Sequence, residues 1–133
     1  MFLVDTNVWP ERVLDRARSA EVGAFLDRIP SERLFSTDFA FHSIGLVLSR
    51  LNRQEALTQF VNDAFVHGAG VLIHLRPEDT PRLVHAMEQF ELDFDDAYQY
   101  VAAAKYQLTV VSLDGDFDRT ERGRKTPADI LNS

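Results

Sequence analysis

The chain has 133 residues, 45% of them hydrophobic and 26% charged, with no cysteine and a formal net charge of −7. At roughly 150 residues per domain this predicts one globular domain over residues 1–133, and a missing thiolate leaves carboxylate, imidazole or water to hold any metal. The acidic balance argues against a protein that grips nucleic acid by overall basicity, and no run approaches the ~20 apolar residues that span a bilayer.

The first apolar run, Phe2-Leu3-Val4, predicts a short strand buried on both faces that stops at the polar loop Asp5-Thr6-Asn7. It meets Asp5 too early to be a secretory signal, so a cytoplasmic location is expected. Glu21 to Ile29 carries Val22, Phe25, Leu26 and Ile29 on a helical period, and Pro30 ends it. Arg33 to Ser36 is a weaker strand candidate. Helical periods return over Asp38 to Leu51, with Phe41, Ile44, Leu48 and Leu51, and over Gln54 to Val66, with Leu57, Phe60, Val61 and Phe65.

Val71 to Leu75 predicts a further strand after Gly68 and Gly70, and Thr80-Pro81 offers an N-cap followed by proline for a helix reaching about Phe90. A last long helix opens near Asp93 to Asp96 and runs through an alanine-rich segment to Tyr106. The β-branched run Leu108 to Leu113 then stops at Asp114-Gly115-Asp116. Helices alternating with short buried strands predict an α/β fold, a three-layer α/β/α sandwich around a mostly parallel sheet.

Acids concentrate late in the chain. Glu91, Asp93, Asp95, Asp96, Asp114, Asp116 and Asp118 are met by one cation, Lys105, before Arg119, Arg122, Arg124 and Lys125 reverse the sign. Ligands of a parallel sheet bind beyond the carboxyl ends of its strands. Asp5 and Asp114 each follow such an end, and if the two strands are neighbours both carboxylates enter one crevice, with Asp116 and the helix-opening Asp95 and Asp96 nearby. So many acids repel one another unless a divalent cation sits among them. Mg²⁺ or Mn²⁺ held this way is suited to phosphodiester hydrolysis. Singly, the same residues have plainer uses: Asp93 or Asp95 as a helix cap, Asp114-Gly115 as a turn.

Val4-Asp5-Thr6-Asn7-Val8, Asp95-Asp96-Ala97 and Val110-Val111-Ser112-Leu113-Asp114-Gly115-Asp116-Phe117 together resemble the PIN domain, in particular the small VapC-type toxins. The resemblance implies a Mg²⁺- or Mn²⁺-dependent endoribonuclease of a type II toxin-antitoxin pair, with an RNA substrate, a small antitoxin partner and a homodimeric state. It implies metal-binding roles for Asp5, Asp96 and Asp114, an additional catalytic acid in Asp116, and supporting roles for Asn7 and Ser112. Arg119, Arg122 and Arg124 are then expected to steer RNA over the acidic face. The family usually has a glutamate in the helix after the second strand; here His42 stands at about that register, with Asp38 one turn earlier. His42 is open to four readings: metal ligand, hydrogen-bonding support, the sign of a weakened site, or a partly buried histidine with no site role. The alternative function is a PIN-like module that binds RNA or a partner protein without cutting. His67, His74 and His85 read as structural or surface residues, and Trp9 as a packing residue.

Overall fold

Each strand of the central sheet is only three or four residues long, and each delivers its chain to the same edge. The computed structural model describes residues 1–133. The strands are β1 (Phe2–Val4), β2 (Leu34–Thr37), β3 (Val71–Ile73) and β4 (Thr109–Val111), ordered β3-β2-β1-β4 and all parallel. Phe2 pairs with Leu34 on one side and Thr109 on the other, so the two strands that precede Asp5 and Asp114 are neighbours. The ladder continues into the loop, where the Asp5 N–H donates to the Val111 carbonyl at 2.9 Å. A lone parallel bridge from Lys125 to Val111 covers the outer edge of β4.

Seven helices clothe the sheet: α1 (Val8–Val13), α2 (Ser19–Arg28), α3 (Asp38–Arg50), α4 (Gln54–Val61), α5 (Thr80–Phe90), α6 (Phe94–Tyr106) and α7 (Pro127–Leu131). Alternation along the strands assigns the two faces. Val4 and Val111 pack into one core with Val22, Phe25, Ile44 and Leu48, whereas Leu3 and Val110 pack into another with Ala102, Ala103 and Phe117. The alanines let α6 lie close on the sheet, and its other side packs against α5 through Leu83, Ala86, Ala97 and Val101. The expected three-layer α/β/α sandwich is therefore present, with a fully parallel sheet.

Several boundaries differ from the sequence expectation. α4 ends at Val61, and the chain passes through a π-turn over Asn62–Val66 where one continuous helix was expected. Thr80 is already inside α5 and does not cap it: its hydroxyl donates to the Pro77 carbonyl at 2.7 Å, within a 3-10 turn that precedes the helix. Asp79 takes the local capping work, accepting the Arg76 N–H at 2.8 Å and the Lys105 ammonium at 2.8 Å. Trp9 is 2% exposed and packs on Phe60 and Phe65 at centroid distances of 5.0 and 6.1 Å, so it packs the core. No helix is long and apolar enough to cross a membrane.

Candidate metal centre

Asp5 emerges from β1 into the protein interior. It is 5% exposed, and both of its oxygens are occupied. Oδ1 accepts the Thr6 N–H at 2.8 Å and the Gln99 side-chain N–H at 2.9 Å, and Oδ2 accepts the Ser112 hydroxyl at 2.7 Å. Burial pushes its carboxyl above the ordinary range, opposed by the bonds from Gln99, Ser112 and Thr6.

Asp96 arrives by a different route. The Asp93 side chain caps α6, accepting the Asp96 N–H at 2.9 Å, which makes Asp93 the capping acid and leaves the Asp96 side chain free. Asp114 accepts the Asp116 N–H at 2.9 Å and thereby opens a 3-10 turn over Gly115–Arg119. Asp96, Asp114 and Asp116 each offer a carboxylate oxygen within 4.8 Å of the others. Burial first, then the charges of Asp93, Asp114, Asp5 and Asp116, raise the Asp96 carboxyl to about 7. Three hard oxygen donors at this spacing, with a fourth acid beside them, match the donor set of Mg²⁺ or Mn²⁺.

Around the acids runs a continuous chain of hydrogen bonds. The Ser112 hydroxyl oxygen accepts the Asp114 N–H at 3.0 Å and the Asn7 amide at 3.3 Å, while the Asn7 carbonyl accepts the Leu113 N–H at 3.2 Å. Asn7 and Ser112 thus tie the loop after β1 to the loop after β4. On the other side Gln99, 1% exposed, accepts the Thr37 hydroxyl at 2.7 Å, and Thr37 caps α3 by accepting the Ala40 N–H at 2.9 Å. Gln99 and Thr37 were not singled out in the sequence. The available signal was spacing: Gln99 is one helical turn from Asp96, a lone amide in an otherwise apolar helix face.

His42 stands exposed on α3, outside the carboxylate group, and is not the partly buried residue that its phenylalanine neighbours suggested. Asp38 accepts the Tyr98 hydroxyl at 2.8 Å, which joins the start of α3 to α6. The three arginines are all engaged. Arg119 donates to the Phe90 and Glu91 carbonyls at 3.1 and 2.8 Å, capping the end of α5, and reaches Asp116 at 3.2 Å. Arg124 grips the Asp118 carboxylate through Nε and Nη2 and donates to the Ser112 carbonyl at 3.0 Å. Arg122 donates to the Leu108 carbonyl at 3.1 Å, at the amino edge of β4, which separates it from the acids by the length of the strand. A cleft of about 460 Å³ between α1, α2 and α4, beside Trp9 and Phe60, and another of about 420 Å³ between α5 and α6 both lie away from the acids.

An all-parallel α/β/α domain with carboxylates gathered beyond its strand ends has the arrangement of a hard-cation site. A family model described as PIN domain matches residues 2–123, and the chain belongs to this family. Solved structures sharing the fold include a toxin-antitoxin complex from Klebsiella pneumoniae, with a TM-score of 0.76, 16% identity, and coverage of 96% of this chain and 98% of that one. FitAcB from Neisseria gonorrhoeae has a TM-score of 0.78 at 21% identity, covering 96% and 99% of the two chains. VapC20 of Mycobacterium tuberculosis, described as a sarcin-ricin loop cleaving toxin, has a TM-score of 0.75 at 15% identity, covering 89% and 93%. No curated protein matches the chain by sequence.

Proposed function

We propose that this PIN domain is a divalent-metal-dependent endoribonuclease and the toxin of a type II toxin-antitoxin pair. The observation that carries the reading is the convergence of Asp96, Asp114 and Asp116 beside a buried Asp5 at the carboxyl edge of the sheet. Mg²⁺ or Mn²⁺, when bound, supplies positive charge beside the scissile phosphate and makes water acidic enough to attack it. Asp96 and Asp114 would hold the ion together with Asp5, which lies beside the group that these two form with Asp116 and not inside it. The Asp96 carboxyl, raised to about 7 by burial and its acidic neighbours, would give up its proton to hold a cation. Asp114 is held in one orientation by the Asp116 N–H. Asp116 accepts Arg119 through Oδ1 at 3.2 Å.

Arg119 and Arg124 bring positive charge to the rim of the acids, where it would offset repulsion of an RNA backbone. Arg122 lies at the opposite edge, where it donates to the Leu108 carbonyl, and carries less weight in this reading. The proposed partners are an RNA substrate, a small antitoxin and a second copy of the chain; the toxin-antitoxin and cleaving-toxin descriptions of the structural neighbours support the first two.

Incubating the purified protein with total RNA and Mg²⁺ or Mn²⁺ tests the activity. Cleavage is expected in the wild type, and a loss of roughly 100-fold or more in Asp5→Asn and in Asp96→Asn. Cleavage unchanged in both variants would overturn the assignment.

A further inference from the structure

Gln99 is the only amide side chain among the buried residues, and its orientation is determined by its neighbours. The Thr37 hydroxyl has one proton. Its oxygen already accepts the Ala40 N–H at 2.9 Å, and the proton goes to Gln99 Oε1 at 2.7 Å. With Oε1 turned toward Thr37, the amide nitrogen must face Asp5, where it donates to Oδ1 at 2.9 Å. A carboxylate oxygen offers about two lone-pair sites. Both sites of Oδ1 are filled, by Gln99 and by the Thr6 N–H. Oδ2 takes only the Ser112 hydroxyl, whose oxygen lies 2.7 Å from it and 3.5 Å from the other acceptor in reach of its single proton, Asn7 Oδ1.

We infer that Gln99, oriented by Thr37, is a positioning residue that closes Oδ1 of Asp5 and so fixes the carboxylate beside the Asp96, Asp114 and Asp116 group, with Oδ2 the one Asp5 oxygen that would have room for a divalent ion. The inference rests on the metal-centre reading and adds to it how Asp5 takes part: through a single oxygen, in an orientation set by α6 and the start of α3. Removing the amide frees Oδ1, and the carboxylate can then turn or offer both oxygens. Partners that orient a metal ligand in this way are typically worth about 10- to 100-fold in metal affinity.

The test is Mn²⁺ binding by calorimetry without RNA, with circular dichroism confirming that each variant is folded. Gln99→Met, close in length and lacking the amide, is expected to bind Mn²⁺ about 10- to 100-fold more weakly. Thr37→Val should weaken binding in the same direction by less, while Thr37→Ser, which keeps the hydroxyl, should restore it. Because Gln99 acts through Asp5, Gln99→Met combined with Asp5→Asn is expected to bind no worse than Asp5→Asn alone. Wild-type affinity in a folded Gln99→Met, or a loss that adds in full to that of Asp5→Asn, overturns the inference and leaves the metal centre standing. If Gln99→Met does not fold, equal affinities in Thr37→Val and Thr37→Ser overturn it instead. A wild type that takes up no Mn²⁺ overturns the metal centre and the inference with it.

Discussion

Asp96 carries an electrostatic cost in the metal-free molecule, and that cost has a definite pH dependence. Its carboxyl is raised to about 7 in the folded chain, above the ordinary carboxylate value of 3.8, so between these limits the folded chain holds a proton that the unfolded chain has released. Its stabilising effect is therefore full near pH 4 and lost as pH rises through 7. Thermal melting in chelator is expected to show stability falling from pH 5 to pH 8, and Asp96→Asn should flatten that slope. Saturating Mn²⁺ should remove the decline, since the cation replaces the proton. The acids were legible in the sequence because each follows a strand end or opens a helix. Gln99 was not, because its role depends on Thr37, 62 residues away, and on Asp5, 94 residues away.

At the scale of elements, the strongly periodic helices were readable and the short ones were not. α1 and α7 have six and five residues, too few for a 3.6-residue period to declare itself. The Thr80 cap failed because Pro77–Asp79 forms its own turn and carries the chain into α5 one residue earlier. Charge alone marks the arginines after β4 as RNA contacts; the structure adds a hydrogen-bonding task within the fold for each. Arg119 satisfies carbonyls at the end of α5, where Glu91 adopts the left-handed φ of 54°. Arg119→Ala is expected to destabilise the fold by about 1 to 2 kcal/mol in denaturant unfolding, since it removes charge-assisted bonds to two carbonyls. Arg122→Ala should leave RNA cleavage at the wild-type rate, because its guanidinium lies at the opposite edge of the sheet.

For the whole molecule, the fold class followed from the apolar runs and helical periods, whereas the pairing of the first strand with the last entered only as a condition that the β1–β4 ladder meets. The order of the inner strands is a tertiary outcome with no local signature. The net charge of −7 acquires a location: much of it lies around the carboxyl edge, where a divalent ion would offset it. Mn²⁺ at about 100 times its dissociation constant is expected to stabilise the folded chain by about 2.7 kcal/mol, seen as a raised melting temperature that chelator reverses. RNA binding should weaken on chelation as well as on adding salt. The bond from Ser112 to Asp5 closes a separation of 107 residues. During synthesis Asp5 emerges among the first residues, yet β4, Ser112 and Asp114 follow only when most of the chain has been made. A chain that stops short of β4 has Asp5 and Asp96 but neither the strand that pairs with β1 nor Asp114, so the crevice closes only when the last strand is in place.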